Sequence, residues 1–551
     1  MQELSCHLSF QLERFMLKKI DFTSYKTILF FALIFRLIAA IFSEGYGMHD
    51  DHFLIVEAAS SWADGFDYNH WLPWSPENTG SPEGHSFTYV GLNYVFFVIF
   101  KFLGITDPKI LMIFNRLIHG LISLLVVHFG IKITEKVSNR KNAVSVGWIL
   151  AILWVLPFLS VRNLVEMASI PFLIWGVWLT IKDTHKLELL FAGLLIGMAV
   201  SFRFQVGIFA IGIAAFYFFK LEWKKFFLFS LGTAITFCIT QGLVDFCIWG
   251  YPFAELAGYI VYNMHEGTEY MANTNYFMYF YVLFGVLLVP LGILIAIGFF
   301  KSPKQQWLVI VPAGVMLLLH IFLPSLQIWW ILIVFLALII PSLLGKLKNI
   351  QPLWIIYLPT ILFILFHTFY PNRQERFVLT VLPLVIIVGV VGFESLRKSE
   401  FWNKTWRFSW IAFWALNIPL LLFFTVASSK KSRIDAMYSL RNENLFHKTI
   451  LLEASGKSST SLMPKFYSKN WYSDFAQREE PNEPLMLRDK YDYILFFGED
   501  DLNKRIGAYK AIYPKMYKFS QCDPSLIDKI LFTLNPKNTN QYIEVWKTKA
   551  H

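Results

Sequence analysis

Residues 44–88 hold the acids Glu44, Asp50, Asp51, Glu57, Asp64, Asp67, Glu77 and Glu83, with no Lys or Arg among them. An apolar run at residues 27–42 immediately precedes this stretch. Carboxylates placed beside apolar and aromatic residues at a membrane surface are candidates for raised pKa and for base chemistry. The same composition also suits a solvated acidic loop. Further along, Arg162, Glu166, Arg203, Gln205, Asp245, Asn263, His265, Glu266, Arg373, Glu375 and Arg376 fall in or beside the turns between apolar runs. Each has an ordinary explanation by itself. Arg203 can snorkel, Arg162 and Glu166 can pair four apart along a helix, Asp245 can cap a helix end, and His265 reads as a loop histidine. Taken together they are harder to set aside. Ionisable groups at membrane depth usually face a cavity. Arginines there need an anionic partner, and a phosphate accepts their charge-assisted bidentate bonds. Acids facing the same cavity can deprotonate a hydroxyl. The residue chemistry points to group transfer from a lipid phosphate to an alcohol.

The elements that must position these groups are membrane spans. Of the 551 residues, 56% are hydrophobic, in runs long enough to cross a bilayer and separated by short polar loops. The net charge of +10 resides mostly in those loops, a positive-inside pattern rather than a nucleic-acid surface. Residues 1–26 are basic and expected in the cytoplasm, and the first apolar run lacks a small-residue cleavage site, so it reads as an uncleaved span. Residues 91–104 are apolar but short, and read as a helix lying in the interface. Spans are expected near 111–131, 143–160 and 165–181, as two short segments within 188–219, and near 226–248. Another precedes the loop 301–306. Two then flank residues 324–327, and the last three lie at 352–369, 378–396 and 407–427. This places the basic loops 132–141, 182–186, 220–225, 301–306, 345–351 and 396–407 on the inner side.

From residue 428 the composition turns polar, with strand-like runs at 491–497 and 542–546, enough for one small mixed α/β domain. Cys6, Cys238, Cys247 and Cys522 show neither metal-ligand spacing nor a disulfide framework.

Two motifs carry a family resemblance. DDHFLIVE (50–57) resembles the first-loop signature of the Alg9/PIG-B-type (family 22) mannosyltransferases: an acidic pair, then Phe53 and Glu57. The family's usual second acid is Glu and its usual residue after the Phe is Gln, where this chain has Asp51 and Leu54. NRQERFVLTVLPL (372–384) resembles the family's HKEERF…P…PL segment through Arg373, Glu375, Arg376, Phe377, Pro383 and Leu384. Asn372, Gln374 and Thr380 depart from it. Asp245 with Trp249-Gly250 and Asn263, and SFRF at 201–204, resemble shorter family stretches.

The resemblance implies a mostly α, polytopic membrane protein of GT-C type, with about thirteen transmembrane helices and interfacial helices in the first outer loop. Taken with the span map, the resemblance gives a catalytic domain at residues 1–427, with the loop at 44–104, and leaves uncovered the α/β domain that composition places at residues 428–551 on the non-cytoplasmic side. It implies a hexose, mannose by family default, moved from a polyprenyl-phosphate carrier to a lipid-linked or envelope glycan. Asp50 would be the base, Asp51 would support it or contact the sugar, Glu57 is a further catalytic candidate, and Arg373, Arg376 and Arg203 would bind the donor phosphate. Arg162, Glu166, Asp245, Asn263 and Glu375 remain cavity candidates. No cofactor is expected, although the outer acids are hard ligands suited to Mg²⁺ or Mn²⁺. Membrane lipids are expected neighbours and nucleic acid is not. A bacterial inner membrane is favoured over the endoplasmic reticulum, because the sequon Asn403-Lys404-Thr405 falls in an inner loop. Alternatives are another GT-C enzyme, such as a protein O-mannosyltransferase or aminoarabinose transferase, a lipid-linked glycan ligase or polymerase, or a polytopic transporter. A transporter predicts inverted repeats, which the sequence does not display.

Overall fold

The computed structural model describes residues 21–48, 51–76, 78, 80–182, 184–265, 275–302, 352–370, 372–454, 459–478, 491–534 and 541–549. Asp50, Glu77 and Glu266 lie outside the described residues, as do the two spans expected around residues 324–327.

Helix α1 (Tyr25–Phe42) leads into a π-helix at Asp51–Glu57, continued by α2 (Ala58–Ala63). Then come α3 (Phe87–Phe102), α4 (Pro108–Val137), α5 (Arg140–Ile152), α6 (Leu156–Ser160), α7 (Val165–Lys182) and α8 (Lys186–Phe202). Helix α9 (Gly207–Phe219) precedes α10 (Trp223–Phe237), which runs through a π-turn at Cys238–Leu243 into α11 (Val244–Trp249). Helices α12 (Ala254–Met264), α13 (Met278–Gly285), α14 (Leu291–Lys301) and α15 (Trp354–Phe369) follow. A 3-10 segment at Glu375–Val381 leads into α16 (Leu382–Phe393), and α17 (Glu400–Val426) ends the bundle. Among the described residues six helices are long and apolar enough to cross a membrane, with five shorter apolar helices beside them. The protein is a multi-pass membrane protein.

The two short segments expected within 188–219 are α8 and α9. They part at Arg203, whose backbone is extended at φ −141° and ψ 104°. The single span expected over 143–160 needs correction. It breaks after Ile152 into α5 and the short α6. Buried polar side chains make the break tolerable, because they satisfy the backbone groups it frees inside an apolar bundle. Arg36 of α1 donates from Nη1 to the Ala151 carbonyl at 2.8 Å, and Asn417 of α17 donates to the Ile152 carbonyl at 2.7 Å. The Asn417 amide oxygen accepts from Trp154 N at 2.8 Å.

The tail carries α18 (Lys431–Ser439), β1 (Thr449–Glu453), β2 (Asp474–Arg478) and β3 (Tyr493–Phe497). Helix α19 (Leu502–Ile512), β4 (Tyr517–Cys522), α20 (Leu526–Leu534) and β5 (Ile543–Lys547) complete it. The sheet order is β2-β1-β3-β5-β4. β1 runs parallel to β2 and β3, whereas β5 runs antiparallel to β3 and β4. Central strands β3 and β5 are buried along their whole length, which accounts for the continuous apolar reading of 493–497. The sheet does not stand apart from the bundle. Phe53 and Val56 of the π-helix, Tyr89 and Phe97 of α3, and Leu452 and Val545 of the sheet belong to one apolar cluster. The chain crosses itself where α1 and α17 end: Ser429 N donates to the Glu44 carbonyl at 3.0 Å, and Ser43 Oγ to the Ala427 carbonyl at 2.7 Å.

In lipid, helices associate by close packing of small residues. α8 and α10 meet this way at Gly193 and Gly232. A Cβ added to Gly193 would lie 2.2 Å from the Phe229 carbonyl oxygen, and one on Gly232 would lie 2.2 Å from that of Leu190. Gly193→Val should therefore cost about 1–3 kcal/mol or more and lower the Tm of the detergent-solubilised protein. Gly507→Ala, on a helix of the tail with nothing within 4 Å of the added carbon, should raise it slightly. Equal Tm values for the two variants would count against this packing.

Candidate active site

Four charged side chains from four separate segments meet beneath the first loop. Asp51 opens the π-helix. Glu166 lies in the first turn of α7, where a carboxylate also complements the helix dipole. Arg203 leaves the end of α8 on its extended backbone. Arg376 sits in the 3-10 segment that follows the NRQ turn. Arg203 Nη2 lies 3.2 Å from Glu166 Oε1, Arg376 Nε lies 3.8 Å from the same oxygen, and Arg376 Nη1 lies 3.7 Å from Asp51 Oδ1. Asp51, Glu166 and Arg376 are buried, and Arg203 is nearly so.

Such burial is tolerable only because the charges offset one another. Two of the three ion pairs are longer than a hydrogen bond, and neither oxygen of Glu166 accepts one. The pairs are held by charge rather than by closed hydrogen-bond geometry. Arg376 Nε also donates to Gln374 Oε1 at 3.0 Å, which fixes that guanidinium beside the carboxylates. Aromatic groups complete the wall. Phe377 lies under both guanidinium groups, at 4.8 Å from Arg203 and 5.8 Å from Arg376. Tyr259 of α12 reaches in beside them, and burial raises its pKa.

The π-helix accounts for the position of Asp51. Its i→i+5 repeat puts residues five apart on one face. His52 and Glu57 accordingly pair, Nε2 to Oε1 at 3.2 Å. The ring of His52 is stacked between Tyr46, at 4.5 Å, and Tyr467 of the tail, at 5.7 Å. Glu57 Oε1 also accepts from the backbone N–H of Phe466 at 3.0 Å. Glu57 thus braces the π-helix against the tail, whereas the sequence suggested a role beside the base.

The other expected residues are placed as follows. Arg373 donates from Nε to the Thr368 carbonyl at 2.7 Å, and its guanidinium lies 4.4 Å from the Tyr276 ring. Arg162 bonds the Phe158 carbonyl and Ser43 Oγ and lies 3.4 Å above the Phe158 ring, where it ties the α6 turn to the end of α1. Asn263 bonds back to the Tyr259 carbonyl at 2.8 Å and meets the Tyr370 hydroxyl. Glu375 is exposed. Among the described residues no group of three or more His, Cys, Asp or Glu could hold a metal ion.

Asp245 anchors a residue that sequence reasoning missed. Its Oδ2 accepts from Glu255 N at 3.0 Å. Glu255, on α12, accepts through Oε2 from Gly84 N at 2.8 Å and His85 N at 2.9 Å, and through Oε1 from Trp249 Nε1 at 2.9 Å. This one carboxylate fastens the far end of the acidic loop to α12. Gly84 permits the approach, since it sits at φ +79° and a Cβ there would lie 2.8 Å from Tyr259 N. A lone Glu after an aromatic-Gly step carries no sequence signal for such a clamp.

Burial raises the Glu255 pKa from 4.5 to about 7. A carboxyl whose folded pKa exceeds its unfolded value stabilises the fold fully below the unfolded pKa and loses that contribution as pH rises through the folded one. Loop docking should therefore weaken between pH 4.5 and about 7 and level off above, by roughly 3 kcal/mol over the window. Thermal melts across this range should show the decline, and Glu255→Gln should flatten it. A slope that the substitution leaves intact would assign the dependence to another group.

The model of the Alg9-like mannosyltransferase family matches residues 27–455. The fold is similar to that of ArnT from Cupriavidus metallidurans bound to undecaprenyl phosphate, with a TM-score of 0.55 at 10% identity, covering 95% of this chain and 97% of that one. In the apo state of the same enzyme the TM-score is 0.54 at 11% identity, over 94% and 97% of the two chains. Identities this low speak for the fold alone. No curated protein sequence matches the chain. The tail beyond residue 455, including the Phe466–Tyr467 brace, falls outside the family match. With the family model running from α1 through the bundle and into the tail, on a GT-C fold, the chain belongs to the Alg9-like mannosyltransferase family and is a membrane glycosyltransferase.

Proposed function

We propose that the protein moves a hexose, mannose by family default, from a polyprenyl-phosphate carrier to a hydroxyl of a lipid-linked or envelope glycan at the non-cytoplasmic face. The observation that carries this reading is the buried Asp51–Arg376–Glu166–Arg203 cluster. It joins a first-loop carboxylate to two guanidinium groups suited to a phosphate. The neighbour of like fold holds undecaprenyl phosphate, which supports a lipid-phosphate donor here. The positive-inside pattern supports the stated face, and a bacterial inner membrane remains the favoured location.

In this reading Asp50 accepts the proton of the acceptor hydroxyl as its oxygen attacks the anomeric carbon. The bond from that carbon to the phosphate oxygen breaks with inversion, and the electron pair leaves on the phosphate. A phosphate leaves without a general acid, provided that cations meet its charge, the role given to Arg376 and Arg203. Asp51, next in the chain to Asp50, orients Arg376. Glu166 keeps both arginines in place while no donor is bound, which makes it a positioning residue.

The test is a transfer assay on the full chain in nanodiscs, with short-chain polyprenyl-phosphate-mannose, then the glucose analogue, and extracted membrane lipids as acceptor. Asp50→Asn should abolish transfer by lowering kcat and leave donor affinity near wild type. Turnover close to wild type would remove Asp50 as base. Arg376→Ala should weaken donor binding by about tenfold or more, the loss of a charge-assisted phosphate contact. Unchanged donor affinity would take Arg376 out of the phosphate site. If neither carrier binds or transfers, the lipid-phosphate donor itself is refuted.

A further inference from the structure

A cavity of about 760 Å³ opens between the first loop, α3 and α11. None of the four charged residues of the proposed reaction centre lines it. Its size lies within the range of small-molecule sites. One wall is the loop that carries Asp67, His70, Trp74 and Ser75, and the other is the helical surface of Tyr94, Val244 and Ile248. The loop wall is built rather than loose. Asp67 accepts from Trp62 Nε1 at 2.9 Å through Oδ1 and from Leu72 N at 2.8 Å through Oδ2. His70 stands at φ 54°, a conformation few non-glycine residues adopt. Its Nδ1 meets Ser75 Oγ at 3.2 Å, and its carbonyl accepts from Asn78 at 2.8 Å. Asn69 ties the same loop to the Phe53 carbonyl of the π-helix at 3.0 Å, two residues past Asp51.

Two features of this wall select the ligand. Trp74 is 67% exposed at the cavity, an indole face with little packed on it. Each Asp67 oxygen accepts one protein hydrogen bond and retains a second lone-pair site. An aromatic face beside fixed hydrogen-bonding groups suits a saccharide, whose C–H face lies on the ring while its hydroxyls donate to carboxylate and hydroxyl oxygens. The opposite wall is apolar and belongs to α11, at the end of a membrane span. A sugar on a hydrocarbon anchor matches both walls, whereas an acyl chain alone would leave Asp67, His70 and Ser75 facing hydrocarbon, at a cost.

We propose that this cavity binds the carbohydrate head of the glycolipid acceptor, with Trp74 as stacking platform and Asp67 as hydroxyl acceptor. The proposal rests on the glycosyltransferase reading above and adds to it a subsite and a class of ligand.

The experiment uses the full chain in phosphatidylethanolamine–phosphatidylglycerol nanodiscs with no donor present, so its outcome is independent of transfer and of the donor assay. The probe is octyl α-mannoside with a diazirine in the alkyl chain, and labelled residues are mapped by mass spectrometry. Labelling should concentrate on peptides containing residues 62–76, 91–94 and 244–248. Excess octyl mannoside should suppress it and octanol should not. Trp74→Ala, a change at an exposed side chain that leaves the fold intact, should reduce it by about three- to tenfold. Equal suppression by octanol would make the cavity an acyl-chain groove and overturn the proposal. Labelling spread over the lipid-facing surface, or unaffected by Trp74→Ala, would reduce Trp74 to an anchor in the headgroup layer and overturn it equally.

Discussion

The structure depends on keeping four largely buried charges together. Glu166 and Asp51 have Arg203 and Arg376 as counter-ions, and each of the four arrives from a different segment. An isolated charge at this depth costs several kcal/mol, so each segment is held in place partly by the penalty of leaving its partner alone. Two of the three ion pairs exceed hydrogen-bond length, so charge rather than short bidentate bonding holds the cluster together.

Holding Asp51 in that cluster requires the first loop to be fixed at both ends. At its start, the loop is pinned to the chain that leaves α17, through Glu44, Ser43 and Ser429. At its end, Glu255 grips Gly84 and His85. Between them, the π-helix turns His52 and Glu57 toward the tail, where Tyr467 and Phe466 close on them. The mixed sheet therefore works as a back support for the segment that carries Asp51. That explains why strand residues and loop residues share one apolar cluster.

Much of the architecture was legible beforehand, and for identifiable reasons. Apolar runs report spans directly, since hydrocarbon admits few alternatives to a closed helix. The break at Arg203 and the strands at 493–497 and 543–547 follow from local pattern. The missed break after Ile152 has a different cause. Residues 143–160 look uniformly apolar, and the groups that satisfy the broken turn come from Arg36 and Asn417, far away in sequence. Arg162 shows the converse. Its charge at an outer turn suggested a cavity, and the fold uses it to hold a turn against α1.

What the sequence by itself determined is the membrane class, the acidic first loop, the polar tail and the residue types available for chemistry. Hydrophobic length, charge and motif are local properties and survive without a fold. Only the tertiary structure decided which of the scattered charges meet. It joined Arg376 and Arg203 to Glu166 and sent the neighbouring Arg373 to Thr368 and Tyr276. It also drew Glu57 to the tail while Asp51, on the same turn-rich segment, faces the arginines. The physical reason is direction. A side chain's partner depends on which way its backbone points it, through a π-turn at Asp51 or an extended residue at Arg203. That orientation is set by packing between segments more than a hundred residues apart.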